Sequence, residues 1–187
     1  MRGQSARNAR ARAGWVLGAA LLGLCACGKP ENSLVGSVDE LASLQFDSVV
    51  VRADGDVLVI EYDRHPNGLV SDGGVAGGTD GFDVAFKMTV LINGLTLSQG
   101  LDIDLTSHLA DGTARVACSR SQTDDPRRAF PPIKRGDLVL DSSVNYDQVA
   151  VGHFDILFDE GGDVGEGRTV TGTFSAAVQN ANPGSSS

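Results

Sequence analysis

From residue 46 onward the chain alternates apolar and polar positions with a period of two, not 3.6. That is the pattern of half-buried strands. Three hairpins can be read with registers. Residues 46–52 and 57–62 flank Asp54-Gly55, a pair suited to a tight turn because glycine accepts positive φ cheaply. A two-residue turn there sets Val51 opposite Leu58 and Val49 opposite Ile60. In the second hairpin Phe82, Val84, Phe86, Met88, Val90 and Ile92 alternate up to Asn93-Gly94. Leu95, Leu97, Leu101, Ile103 and Leu105 alternate after it. This register puts Phe86 opposite Leu101, Val84 opposite Ile103 and Phe82 opposite Leu105, and a slip of one residue would expose one apolar face. A third turn at Asp111-Gly112 sets Leu109 opposite Ala114, Ser107 opposite Val116 and Leu105 opposite Cys118.

Further strands are expected at residues 137–141, 149–158 and 168–178. In the second of these Phe154, Ile156 and Phe158 share a face. In the last, Val170, Phe174, Ala176 and Val178 do. About nine strands, most with one apolar face, predict an all-β fold, an antiparallel β-sandwich, with a closed β-barrel as the alternative. Ser37-Val38-Asp39-Glu40 has the form of a capping box, which predicts one short helical turn near 38–44. Two segments break the pattern. Residues 65–80 are Gly-rich, and residues 119–135 hold Pro126, Pro131 and Pro132 among five basic side chains. Both read as long loops, which are commonly functional or disordered.

The first two dozen residues lie outside this pattern. Arg2, Arg7, Arg10 and Arg12 come first, no acid precedes Glu31, and an apolar run of ten covers residues 15–24. A basic head followed by a short apolar run is the form of a secretory signal. A permanent span needs roughly 20 residues. Leu24-Cys25-Ala26-Cys27 then places Leu at −3 and Ala at −1 of Cys27. This resembles the lipobox of bacterial lipoproteins. The resemblance covers the leader alone. It implies cleavage before Cys27 and a diacylglycerol thioether on that residue, with the membrane as the partner it anchors to. Cys25 as the modified residue would put Leu24 at −1, where a small residue is expected. Gly28 follows the lipidated cysteine. Asp at that position retains many Gram-negative lipoproteins in the inner membrane, so Gly28 implies the outer one. The resulting organisation is a signal peptide 1–26, a lipidated tether 27–33, one β-domain 34–179 and a disordered polar tail 180–187.

Cleavage changes the charge. Four arginines and no acid leave, so Lys plus Arg falls from 15 to 11 against 24 Asp plus Glu, a net of −13. So acidic a surface argues against nucleic acid, which is bound through basic side chains that displace counterions. Cys25 departs and Cys27 is acylated, which leaves Cys118 without an intramolecular disulfide partner. Its predicted register puts it on the core face. The only Trp is in the leader, and the remaining aromatics alternate into strands, which argues against a carbohydrate-stacking platform.

Candidate chemistry follows from the second hairpin. Its outer face would set Asp83 opposite Asp104, with Asp102 beside them and Asp80 in reach. Like charges directly across a sheet are destabilising, and Ca²⁺ takes carboxylate oxygens, so these four form a candidate metal site. The loop with Asp159, Glu160, Asp163 and Glu166 departs from the calcium-loop pattern. His65, His108 and His153 lie at no metal-ligand spacing to one another. No Gly-x-Ser-x-Gly is present. Arg120, Arg127, Arg128, Lys134 and Arg135 stand out against the acidic background as a candidate contact for an anionic partner. The expected function is a membrane-anchored envelope lipoprotein with a non-enzymatic binding or structural domain. The alternatives are a calcium-binding adhesion module and a metal-assisted enzyme using the Asp cluster.

Replacing Cys27 with Ser should abolish acylation and release the protein, as read by mass spectrometry of the mature N-terminus. The same result from Cys25→Ser instead would move the processing site by two residues.

Overall fold

The computed structural model describes residues 31–65, 83–122, 125–161 and 164–180. These form ten strands: β1 (Ser33–Val35), β2 (Ser48–Asp54), β3 (Val57–Arg64), β4 (Asp83–Leu91), β5 (Asp102–Asp104), β6 (Val116–Gln122), β7 (Asp125–Ala129), β8 (Ile133–Leu140), β9 (Val149–Phe158) and β10 (Thr169–Asn180). Nine of them make one sheet in the order β5-β8-β9-β10-β2-β3-β4-β6-β7, and β1 pairs with β10 beside that path. The sheet curls into a half-barrel. Across its interior Phe86 of β4 stacks on Phe154 of β9 at 5.5 Å, and Phe130 stacks on Phe158 at 4.8 Å. Among the described residues no helix is long and apolar enough to cross a membrane.

The all-β class agrees with the alternation, but the sheet is mixed, not wholly antiparallel. Strand β1 runs antiparallel to β10, with Ser33 opposite Thr173. The chain then reverses and returns along the same edge of β10, so β2 is parallel to it, with Val51 opposite Val178. The reversal contains a 3-10 turn, Ser37–Glu40, in place of the helical turn expected at 38–44. The capping box does not form. Ser37 Oγ accepts from the Thr169 backbone N–H at 3.0 Å, and Glu40 pairs with Arg168 at 2.6 Å.

Parity survives in the first hairpin where partners do not. Val51 faces Ile60 and Ala53 faces Leu58, because the turn is Gly55-Asp56, not Asp54-Gly55. The shift is by two on the partner strand, so Val51, Leu58 and Ile60 stay fully buried. At Asn93-Gly94 a tight turn is present, with Leu95 N donating to Ile92 O at 2.8 Å. The expected hairpin is not. Both edges of β4 are occupied by β3 and β6, with Met88 between Ile60 and Cys118. Residues 95–101 cross instead to the edge of β8, where Leu140 N donates to Leu101 O at 2.9 Å and β5 follows. Alternation reports that one face is buried. It does not report which strand lies alongside. The Asp111-Gly112 hairpin shrinks to a single bridge of His108 with Ala114, one residue off the expected Leu109–Ala114 and Ser107–Val116 pairing, so here the parity is lost as well. Residues 119–135, read as a loop, contain the end of β6, all of β7 and the start of β8.

Two glycines are covered by rings. Phe154 is the direct cross-strand partner of Gly172, and Phe174 is that of Gly152. A Cβ on Gly172 would lie 2.4 Å from Phe154 Cζ and 2.9 Å from Tyr62 Oη; one on Gly152 would lie 2.6 Å from Phe174 Cζ. Overpacking a filled core typically costs about 1–3 kcal/mol. Gly172→Ala and Gly152→Ala should each lower stability by about that amount, measured as a lower urea midpoint with the slope unchanged.

Candidate functional site

Alternation along β3 sends Leu58, Ile60 and Tyr62 inward and leaves Glu61 and Asp63 on the outer face. Yet Glu61 is only 8% exposed and Asp63 only 7%. Lys87 is the direct partner of Glu61 on β4. Its Nζ lies 2.9 Å from Glu61 Oε2, and Arg52 Nη1 from β2 lies 3.1 Å from the same oxygen. Asp63 has no such closure: among the described residues its Oδ1 has no hydrogen-bond partner. The two carboxyls therefore diverge. Burial raises the Glu61 pKa, but Lys87 and Arg52 outweigh it and hold the group below its ordinary value. Asp63 is pushed up to about 6, first by burial and then by the charge of Glu61. The pair can hold one proton in the mildly acidic range, on Asp63. Carboxylates driven apart by their surroundings are a feature of functional sites and of structural ion-pair networks alike.

A second feature is a cleft of about 620 Å³ between β1, the 3-10 turn and the adjoining ends of β2 and β3. Leu34, Leu44 and Phe46 give it an apolar side, and Asp47, Arg64 and His65 a polar one. Asp47 Oδ2 accepts the His65 backbone N–H at 2.7 Å, and His65 Nδ1 lies 3.4 Å away. That backbone bond is the main cause holding the Asp47 carboxyl below its usual range. The volume falls within that of ordinary small-molecule sites.

The residues expected to bind metal are not brought together. Asp83 is on β4 and pairs with Arg64 of β3 at 3.1 Å. Asp102 and Asp104 are on β5, against β8. The opposition of Asp83 to Asp104 therefore fails with the hairpin that implied it. Asp80 lies outside the described residues. A row of like charges does occur elsewhere: Asp104 is opposite Asp137, which is opposite Asp155. All three are exposed. Thr106 donates to Asp104 from its hydroxyl and backbone, lowering the Asp104 pKa, and Thr171 Oγ1 donates to Asp155 at 2.9 Å. Among the described residues no group of three or more His, Cys, Asp or Glu is placed to hold a metal.

The basic residues divide between strands. Arg120 of β6 is opposite Arg128 of β7. Arg127 donates to Ser119 Oγ at 3.5 Å. Lys134 and Arg135 are exposed at the start of β8. The histidines are separate: His153 pairs with Asp141 at 3.0 Å, His108 stands at its bridge, and His65 is at the cleft. In the acidic loop Asp159 Oδ1 accepts from Glu160 N at 2.8 Å and Glu166 is exposed, while Asp163 lies outside the described residues. Cys118 is buried on the core side of β6, opposite Met88 and not Leu105, and burial pushes its thiol pKa up. Cys27 also lies outside the described residues. No protein-family model, curated protein or solved structure matches the chain.

Because Asp63 binds its proton more tightly folded than unfolded, its contribution to stability is present below its ordinary pKa of 3.8 and lost as pH rises through about 6. Asp63→Asn should flatten this fall and raise the melting temperature at pH 7. Thermal melts of both proteins from pH 4 to 7.5 test it; parallel curves would contradict it.

Proposed function

We propose that the chain is an exported lipoprotein of the bacterial cell envelope, anchored through a lipid on Cys27, whose β-domain serves binding or structure and not catalysis. The observation that carries this is the leader: a basic head, ten apolar residues, then Leu24 and Ala26 at −3 and −1 of Cys27. The way polar groups are used supports a non-enzymatic role. Glu61 is closed by Lys87 and Arg52, and Asp83 by Arg64. These are ion pairs across a sheet, not a nucleophile and base facing a substrate. The cleft at Asp47 and His65 is the place proposed for a small ligand of the binding role. Gly28 favours the outer membrane. The curled sheet is read as a two-layer sandwich, supported by the Phe86–Phe154 and Tyr62–Phe154 contacts between β3–β4 and β9.

Cells expressing the full chain with radiolabelled palmitate should yield a labelled protein in the outer-membrane fraction. An unlabelled protein in the soluble fraction would overturn the anchor, and a labelled one in the inner membrane would overturn the location alone.

A further inference from the structure

The fold holds the chain at a point only four residues after Cys27. The carbonyl of Glu31 accepts from Thr173 Oγ1, and Asn32 Oδ1 accepts from the Ser175 backbone N–H at 2.6 Å. Strand β1 then pairs with β10 from Ser33 onward. Four residue steps span at most about 14 Å. A domain of about 150 residues is roughly 35–40 Å across. A leash that short cannot pass around the body, so whatever holds Cys27 must lie against the side where Glu31 and Asn32 are fixed.

That side differs from the rest of the surface. The twelve residues of β10, Thr169–Asn180, include no charged side chain, in a chain with 24 Asp plus Glu. Its outward positions are Thr169, Thr171, Thr173, Ser175, Ala177 and Gln179, alternating with buried Val170, Phe174 and Val178. The exposed large hydrophobic residues among those described stand around this strip. Val35 of β1, 60% exposed, is opposite Thr171, and Val149 of β9, 54% exposed, is opposite Ala177. Leu41 follows the 3-10 turn beside β1, and Tyr146 reaches the carbonyl of Ala53 at 3.1 Å, where β2 borders the end of β10. Val35 and Val149 are six residues apart along β10, about 20 Å. The strip thus has an apolar contact toward each end, and the chain leaves it between them. Asp155 borders the strip with its carboxylate bonded to Thr171.

We propose that the outer face of β1, β10 and the start of β9 is a membrane-contact surface, applied to the bilayer that holds the lipid on Cys27. It rests on the anchor proposed for Cys27. Elsewhere the acidic surface is repelled by anionic headgroups over a Debye length of about 8 Å. The uncharged strip is where approach costs least. Tyrosine is enriched at the membrane–water interface, and the two valines add apolar area toward the ends of the strip.

The test uses the full acylated chain in phosphatidylcholine vesicles, with a fluorophore on Ala177→Cys or, as control, on Asp102→Cys of β5. Spin-labelled lipid should quench most of the Ala177 label and little of the Asp102 label, while aqueous iodide should do the reverse. Mass spectrometry of the same sample reports Cys27. An unmodified Cys27 overturns anchor and surface together. A modified Cys27 with an Ala177 label open to iodide overturns the surface alone. So does an Ala177 label shielded from iodide yet untouched by lipid, which would place a protein partner or a second copy there.

Discussion

The reciprocal packing of two phenylalanines over two glycines is the constraint on which the rest of this fold depends. Phe154 covers Gly172 and Phe174 covers Gly152, across alternate positions of the β9–β10 ladder. With no Cβ beneath them, the rings lie low against the sheet. Phe154 then stacks on Phe86 and meets Tyr62 edge-on at 6.1 Å. Those contacts join the β3–β4 part of the curled sheet to β9. A side chain on Gly172 would lift Phe154 and open that join.

Gly172 also solves a second problem. Strand β10 exchanges neighbours along one edge, from β1 to β2, and on that edge its backbone between Thr173 and Val178 lacks a strand to pair with. Buried backbone groups left without partners are costly. Side chains supply them here. Tyr62 Oη donates to the carbonyl of Thr173 at 2.9 Å, and Asn32 accepts from Ser175 N–H. Tyr62 passes close enough to Gly172 that a Cβ there would meet its oxygen. Burial without a charged partner raises the phenol's pKa, so it remains a donor.

The part of the fold legible in the sequence is the part set by the geometry of a single strand. Side chains along a strand have period two, so the inward set could be read: Val51, Ile60, Phe86, Met88, Phe154, Ile156, Phe158 and Phe174 are all buried. Neighbours are set by long-range pairing, which period two does not encode. Asn93-Gly94 does turn the chain, but the segment after it joins β8 because β6 holds the edge of β4. The candidate metal site depended on that one pairing and fell with it. Glu61 and Asp63 were hidden by the same rule, since alternation assigns them to solvent. The only signal was the presence of Lys87 and Arg52 at the outward positions of neighbouring strands. The parallel β10–β2 pair had no local signature at all.

Strand β10 is the last of the described strands and lies inside the sheet, between β9 on one edge and β1 and β2 on the other. Strands β1 and β2 have no other way to reach β9. The sheet therefore cannot be completed while the chain is being made, until Asn180 has emerged. Pairings this distant in sequence form slowly, because loop-closure entropy must be overcome before the contacts reward it. The pairings of β2 with β3, β3 with β4 and β8 with β9 are local and can form before then, but the two halves they make can be joined only through β10. The domain therefore sets as one sheet only when Thr169–Asn180 enters between β9 and β2.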